Sequence, residues 1–397
     1  MITGKAAAAP VVPRALRGAF AFVLALTLPG CGTIEFYWQG IAGQIDLLAR
    51  RRPMAEVVET TPDPGLKARL TKAQSIRAFA SRELALPDNG SFTSYADIGR
   101  PFVVWNEFAA PELSLQPRES CFPVAGCVAY RGYFNEADAR VEAARIAATG
   151  DDVYVGGVPA YSTLGYFDDP VLSSFIRYRE TELARLMFHE LAHQVVYVKD
   201  DTSFNESFAV AVEEEGLKRW LAAQGGRHDA AELAADVART RQVRGDFLAL
   251  VRNARDRLAG IYASGASDAD QRAAKAAAFA ALRAEYDQRK AGWGGAAAYD
   301  RWFASGANNA GIVAISLYDD RVAQFAALLA NGGGDLPRFY AGVKALAKLP
   351  KAEREPALAA AVLHSGATGA APRGPGAEAG EPSAANSHPL VLDREIK

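Results

Sequence analysis

Apolar residues recur every three or four positions over most of this chain, which is the spacing of an amphipathic helix. Leu66, Leu70 and Ile76 show this spacing near the N-terminus. From Glu180 onward almost every segment follows it, and breaks that contain glycine or asparagine separate several of the segments. The pattern predicts helices at Phe36–Arg50, Pro64–Leu86, Glu136–Thr149, Glu180–Val198, Glu206–Ala223, Asp229–Ala263, Asp268–Ala291, Ala310–Ala330 and Leu336–Ala347.

Four short segments in the first half of the chain have the pattern of β-strands. They are Phe102–Phe108, Cys127–Phe134, Val153–Val158 and Tyr161–Phe167. We therefore expect an α+β fold that is predominantly helical, with a small N-terminal antiparallel or mixed sheet packed on a helical domain. The segment from Val158 to Phe167 is either an ordinary strand of this sheet or an edge strand that pairs with a peptide backbone.

The chain has 397 residues, half of them hydrophobic, which is enough for one large globular domain. We expect this domain at residues 31–364, with a sheet-containing part over 31–178 and a helical part over 179–364. From residue 365 the chain is rich in Gly, Ala, Pro and Ser, and we expect a disordered tail. A net charge of −2 and the lack of a basic stripe argue against nucleic acid as a partner.

The first 30 residues have the features of a bacterial export signal. Basic residues precede a continuous apolar run, Gly18–Leu28, which is too short to span a membrane comfortably. The run leads into Leu28-Pro29-Gly30-Cys31, which resembles the lipobox of bacterial lipoproteins. This resemblance implies a lipid on Cys31 and a place in the cell envelope facing the periplasm, and Gly32 is compatible with the outer membrane. The alternative is a plain cleaved signal with an incidental cysteine.

The two other cysteines, Cys121 and Cys127, lie six positions apart with turn-forming residues between them. If Cys31 carries lipid, the remaining two form an even number, as an oxidising periplasm favours. We expect a disulfide between them, with two buried free thiols as the alternative. Their spacing does not suit a zinc site, because no Cys-x-x-Cys motif or nearby histidine accompanies them.

The chain has only five histidines, and two of them form His189-Glu190-Leu191-Ala192-His193. Histidines four apart on a helix project from one face, so both can bind one cation. Glu190 can then act as a general base toward a metal-bound water. The pattern predicts a Zn²⁺ site with His189 and His193 as ligands and Glu190 as the catalytic base.

A third ligand is required, and Glu206 is the best candidate. It follows His193 after a short polar loop, which lets a second helix fold back beside the first. The Asn205-Glu206 pair resembles the second motif of the gluzincin metallopeptidases, and this resemblance implies a zincin-like fold with a His, His, Glu zinc set. Glu213 and Asp201 are the competing candidates, and Glu213 is also a candidate to support a histidine from behind.

Longer segments are similar to the bacterial putative aminopeptidase family. They include residues 100–106, 121–134 and 156–170, then FHELAHQVVYVKDD, FNESFA, and Asn308-Asn309-Ala310 with Tyr318. The resemblance covers residues 31 to 350 and implies an aminopeptidase that acts on peptide substrates. Both exo- and endopeptidase action stay open at this stage.

Hydrolysis also needs a donor for the oxyanion. Tyr161, Tyr166 and Tyr318 are candidates, and we choose Tyr318 because it follows Asn308-Asn309 and belongs to the family resemblance. The expected function is therefore that of a zinc-dependent peptidase held to the membrane by a lipid anchor. The alternatives are a non-catalytic envelope lipoprotein with a structural or vestigial metal site, and a zinc hydrolase that acts on another substrate.

Overall fold

The computed structural model describes residues 31–122, 126–294, 298–316 and 321–367. The predicted signal peptide, Tyr318 and nearly all of the predicted tail lie outside these residues. The chain divides into a short unit that ends at Asp46 and a main body that begins at Leu47. No helix in the described part of the chain has both the length and the apolarity needed to cross a bilayer.

Most of the described residues are helical, as the apolar spacing predicts. The helices within the described residues are α1 (Cys31–Ala49), α2 (Met54–Thr60), α3 (Pro64–Leu84), α4 (Glu136–Ala147), α5 (Glu180–Val195), α6 (Thr202–Ala223), α7 (Ala230–Tyr262), α8 (Asp268–Gly292), α9 (Asp300–Ala304), α10 (Asn309–Ser316), α11 (Val322–Asn331), α12 (Leu336–Ala347) and α13 (Lys351–Ala367).

Within the described residues the strands are short and form three small sheets. They are β1 (Arg52–Pro53), β2 (Ser94–Ala96), β3 (Val104–Pro111), β4 (Ser120–Phe122), β5 (Gly126–Val128), β6 (Arg131–Tyr133), β7 (Asp151–Val158) and β8 (Val171–Leu172). The largest sheet is antiparallel with the order β6-β3-β7, and Trp105 lies opposite Tyr133 on one side and Gly157 on the other. The order β1-β2-β8 gives a mixed sheet, and β4 pairs with β5 as a hairpin. A predominantly helical α+β fold with small sheets is therefore confirmed.

Two apolar clusters hold the main body together. The first is built largely on α3, α5, α6, α11 and α12, and includes Phe188 and Phe208. The second joins α7 and α8 to one face of β3 and β7, with Phe247 and Tyr286 fully buried. The ring of Phe188 contacts that of Phe79 on α3, with centroids 6.1 Å apart. This packing holds the helix with the two histidines inside the first cluster.

The segment from Tyr161 to Phe167 is not a strand, so this prediction is wrong. The strand that precedes it ends at Val158. Beyond it, Leu164 and Gly165 have φ angles of 57° and 84°, which a strand does not adopt. The carboxylate of Asp169 accepts hydrogen bonds from the backbone N–H and the hydroxyl of Thr163, both at 2.8 Å, and these bonds stabilise a turn. The alternating pattern of the segment does not reveal them.

Several helix boundaries also differ from the prediction. The single helix expected over Ala310–Ala330 is two helices, because Arg321 has a non-helical backbone and donates its N–H to the Ser207 hydroxyl. Helix α5 stops at Val195 because Val196 is extended, and α6 begins at Thr202 because Asp201 caps it. The pattern missed α2, α9 and α13.

Candidate active site

The two predicted histidines lie on the last turns of α5. The side of this helix that packs into the first cluster carries Leu183, Met187 and Leu191, all 2% exposed or less. The four-residue spacing places His189 and His193 one turn apart. Their Nε2 atoms are 3.1 Å apart, and the rings meet edge to face.

The fold brings Glu206 to the same place through a tight reversal between α5 and α6. The side chain of Asn205 is buried and clamps the loop twice: it accepts from the N–H of Val198 and donates to the same residue's carbonyl, both at 2.7 Å. Further along α6, Gly216 permits close packing, because a Cβ there would come within 2.8 Å of a ring atom of Phe188. The two helices therefore lie close together, and Glu206 faces the histidines.

Three donor groups converge at this point. A Glu206 carboxylate oxygen, Oε2, is 3.2 Å from His189 Nε2, and the other, Oε1, is 3.7 Å from His193 Nε2. One ligand atom from each residue lies within 4.8 Å of the others. Oε2 is buried and has no hydrogen-bond partner among the described residues. An orphaned carboxylate oxygen that faces two imidazole nitrogens suits a bound cation.

Glu213 contacts the ring nitrogen of His189 that does not face His193 and Glu206. Two turns after Glu206 on α6, it lies 2.9 Å from His189 Nδ1, the nitrogen that points away from the convergent donors. Arg185 donates to both Glu213 and Glu214 at 2.8 Å, and the side chains of Arg185 and Glu213 are each 6% exposed. With Nδ1–H donating to Glu213, His189 presents its Nε2 lone pair to a cation.

The electrostatics of the group depend on burial. Burial lowers the pKa of His193 to about 4, which favours its neutral, ligating form. Burial also acts to raise the pKa of Glu206, but His193 and His189 outweigh it, so this pKa is lowered and the carboxylate stays ionised. Burial raises the pKa of Glu190 to about 7, and the Glu206 carboxylate adds to the effect. Glu190 follows His189 on α5 and is partly exposed.

Asp201, the other candidate for the third ligand, has different partners. Its side chain caps α6 by accepting from the N–H of Phe204. The same carboxylate binds Arg321 at 3.1 Å and Arg354 at 2.8 Å, and it is 2% exposed. These bonds fix the beginning of the helix that carries Glu206.

The predicted cysteine pair lies beside this loop. The structure joins Cys121 and Cys127 in a disulfide across the β4–β5 hairpin. The N–H of Cys127 donates to the Asp200 carboxylate at 2.7 Å, which ties the hairpin to the connection between α5 and α6.

A sequence model described as putative aminopeptidase matches residues 35–358, which is most of the chain. The chain belongs to this family. The family name indicates a peptide hydrolase, and the resemblance read from the sequence motifs is confirmed at this level. No curated protein sequence and no solved structure matches the chain.

The candidate tyrosines of this aminopeptidase family member differ in their exposure and in the rings that they pack against. Tyr166 is 82% exposed, and Tyr161 is 36% exposed with its ring edge-on to Phe134. Tyr130, which sequence reasoning missed, packs its ring on Phe108 with centroids 5.5 Å apart. Burial raises the pKa of Tyr130, and the Glu206 and Glu190 carboxylates raise it further, so the hydroxyl stays protonated. No local motif marks Tyr130, which lies in the connection just before β6.

Proposed function

We propose that this protein is a zinc-dependent peptidase with His189, His193 and Glu206 as the metal ligands. The convergence of two imidazole nitrogens and one orphaned carboxylate oxygen carries the proposal. Two histidines and a carboxylate are a common zinc set, and three protein ligands leave a position open, as catalytic rather than structural sites do. When bound, zinc would polarise the scissile carbonyl and lower the pKa of the attacking water.

Glu190 performs the proton transfers in this proposal. It neighbours a ligand along α5 and retains partial access to solvent. Its carboxylate accepts a proton from the attacking water, and the resulting acid returns that proton to the leaving amine. A partly buried carboxylate is suited to both steps, because burial favours its neutral form and raises its pKa toward neutral pH.

Tyr130 supplies the second donor to the oxyanion in the same proposal. Its hydroxyl remains protonated because burial raises its pKa and the Glu206 and Glu190 carboxylates raise it further, and its ring packs on Phe108. A fixed donor aimed at developing negative charge is the usual way to stabilise a tetrahedral intermediate. Tyr166 projects into solvent and is poorly placed for this role, and Tyr318 stays a sequence-based prediction.

Two further parts of the proposal come from the sequence. The family name favours release of an N-terminal residue, and the HELAH and Asn205-Glu206 motifs favour a zincin-like arrangement of the gluzincin kind. The lipobox-like residues before Cys31 favour a lipid anchor in the bacterial envelope, facing the periplasm.

Metal content and hydrolysis rate, measured on the same variants, test the assigned roles. His189→Ala, His193→Ala and Glu206→Ala each remove a ligand, so each should lose zinc. Glu190→Gln and Tyr130→Phe should retain stoichiometric zinc and lose hydrolysis, because they remove a proton carrier and a donor. Full zinc content in Glu206→Ala would contradict the assignment of this ligand.

A further inference from the structure

Exposed aromatic side chains are concentrated in two segments of the main body. Among its described residues, five large hydrophobic side chains are exposed, and four of them are aromatic: Tyr161, Tyr166, Phe167 and Tyr197. Three of these lie in one loop, and Tyr197 comes two residues after the end of α5. We call these four residues the aromatic rim. Clustered apolar exposure of this kind usually marks a binding site.

The loop that carries most of the rim is held in one conformation. Thr163 donates its N–H and its hydroxyl to Asp169, and it accepts a bond from the N–H of Phe167 at 3.0 Å. Asp169 itself is 2% exposed. These bonds direct Tyr166 and Phe167 outward, at 82% and 49% exposure. An aromatic side chain on a fixed backbone loses little entropy when it binds a ligand.

The rim borders the candidate active site. The backbone of Gly165 lies against Gln194, the residue after His193, since a Cβ at Gly165 would meet the Gln194 side chain at 3.4 Å. Gln194 is itself held by Asn89 at 2.8 Å and Ser91 at 3.1 Å. The loop therefore lies directly beside the histidine-bearing helix.

The second segment of the rim leaves the same helix. Helix α5 ends at Val195, and Tyr197 follows two residues later. The loop through Gly165 and the segment through Tyr197 therefore both adjoin the last turn of α5, which carries His193.

We infer that the aromatic rim binds a large apolar or aromatic side chain of the substrate next to the scissile bond. The substrate class is then peptides with Phe, Tyr, Leu or a similar residue at this position. The four rim side chains carry no formal charge at neutral pH, so they offer ring faces and edges to an apolar group. This inference rests on the proposed peptidase function and adds its side-chain preference.

Peptide binding to zinc-loaded Glu190→Gln chain tests the inference without turnover. Calorimetry would compare Ala-Ala-Ala, Phe-Ala-Ala, Ala-Phe-Ala and Lys-Ala-Ala. An aromatic ring that packs against aromatic side chains gains affinity beyond the area that it buries, so one of the two Phe peptides should bind roughly ten-fold more tightly than Ala-Ala-Ala. Adding Tyr166→Ala with Phe167→Ala should remove this preference.

Val141→Ala is the matched control, because Val141 is 72% exposed on α4 and outside the rim. It should leave the preference for Phe unchanged, and equal thermal unfolding of the variants would exclude misfolding. Equal binding of all four peptides, preference for Lys-Ala-Ala, no peptide binding, or a Phe preference that survives loss of the rim residues would each overturn the inference. A failure of the peptidase proposal would be seen separately, as missing zinc or missing cleavage by the unmodified chain.

Discussion

Replacing Glu213 with glutamine tests how the site holds its first histidine. The Glu213 carboxylate contacts His189 Nδ1 at 2.9 Å and accepts from Arg185 at 2.8 Å, and both charged side chains are 6% exposed. A hydrogen bond to a charged group contributes about 1.5–3 kcal/mol, and a neutral one about 0.5–1.5 kcal/mol. Glu213→Gln keeps the shape of the side chain but removes its charge. The hydrogen bond that orients the His189 ring should therefore become weaker by about 1 kcal/mol or more. Partners of this kind typically change metal affinity by about 10–100-fold.

Competition with a fluorescent zinc chelator at neutral pH would measure this change. We expect zinc affinity to fall roughly ten-fold in Glu213→Gln. Glu214→Gln is the matched control, because Glu214 also accepts from Arg185 at 2.8 Å and also binds Arg241, but it is not the residue that contacts Nδ1. Its zinc affinity should stay within about two-fold of the parent, as expected for a residue outside the ligand shell. Equal weakening in both variants would refute the reasoning, since it would assign the effect to net charge and not to His189.

Two other predictions concern features away from the metal ligands. Burial raises the pKa of Glu107 to about 7 from 4.5, so the folded state holds a proton that the unfolded state releases, and the parent loses stability as pH rises through this window. At 1.36 kcal/mol per pKa unit, the free energy of unfolding of Glu107→Gln in urea should rise by about 3 kcal/mol relative to the parent between pH 4 and pH 8. Glu119 is exposed, so Glu119→Gln should show little such change. A Glu107→Gln variant without this pH-dependent gain would contradict the burial argument. For the lipid anchor, a clickable fatty acid should label the parent protein in cells but should not label Cys31→Ser. Equal labelling of the two proteins would contradict the lipoprotein proposal.

The parts of the site that depend on local spacing could be predicted from the sequence. The i, i+4 histidines lie on one helix with Glu190 between them, and the short loop to α6 indicates that Glu206 returns to them. Helical periodicity also predicts most of the helices, because the apolar spacing within one segment marks the buried face of that helix and needs no knowledge of its partners. The interpretation of Glu206 as the best third candidate agrees with the convergence of donor atoms that the structure places around it.

The parts that depend on distant partners could not be predicted. Asp201 caps α6, which begins four residues before the predicted start, and its carboxylate is held by Arg321 and Arg354, more than a hundred residues later. Asp169 turns a strand-like segment into a fixed loop through side-chain bonds that no periodicity reveals. Tyr130 directly precedes β6, and it packs on Phe108 because β6 pairs with β3, which is distant in sequence.

Hydrolysis of a mixed peptide library by the purified chain, beside Glu190→Gln, tests the central claim most directly. Both proteins should carry one zinc, and mass spectrometry of the products should show cleavage by the parent alone, because only the parent retains the proton carrier. We expect the loss of single N-terminal residues, with large apolar side chains favoured at the cleaved position. Cleavage that is equal in the two proteins, or a zinc-loaded parent that cleaves none of the peptides, would show that the chain does not hydrolyse peptides through Glu190.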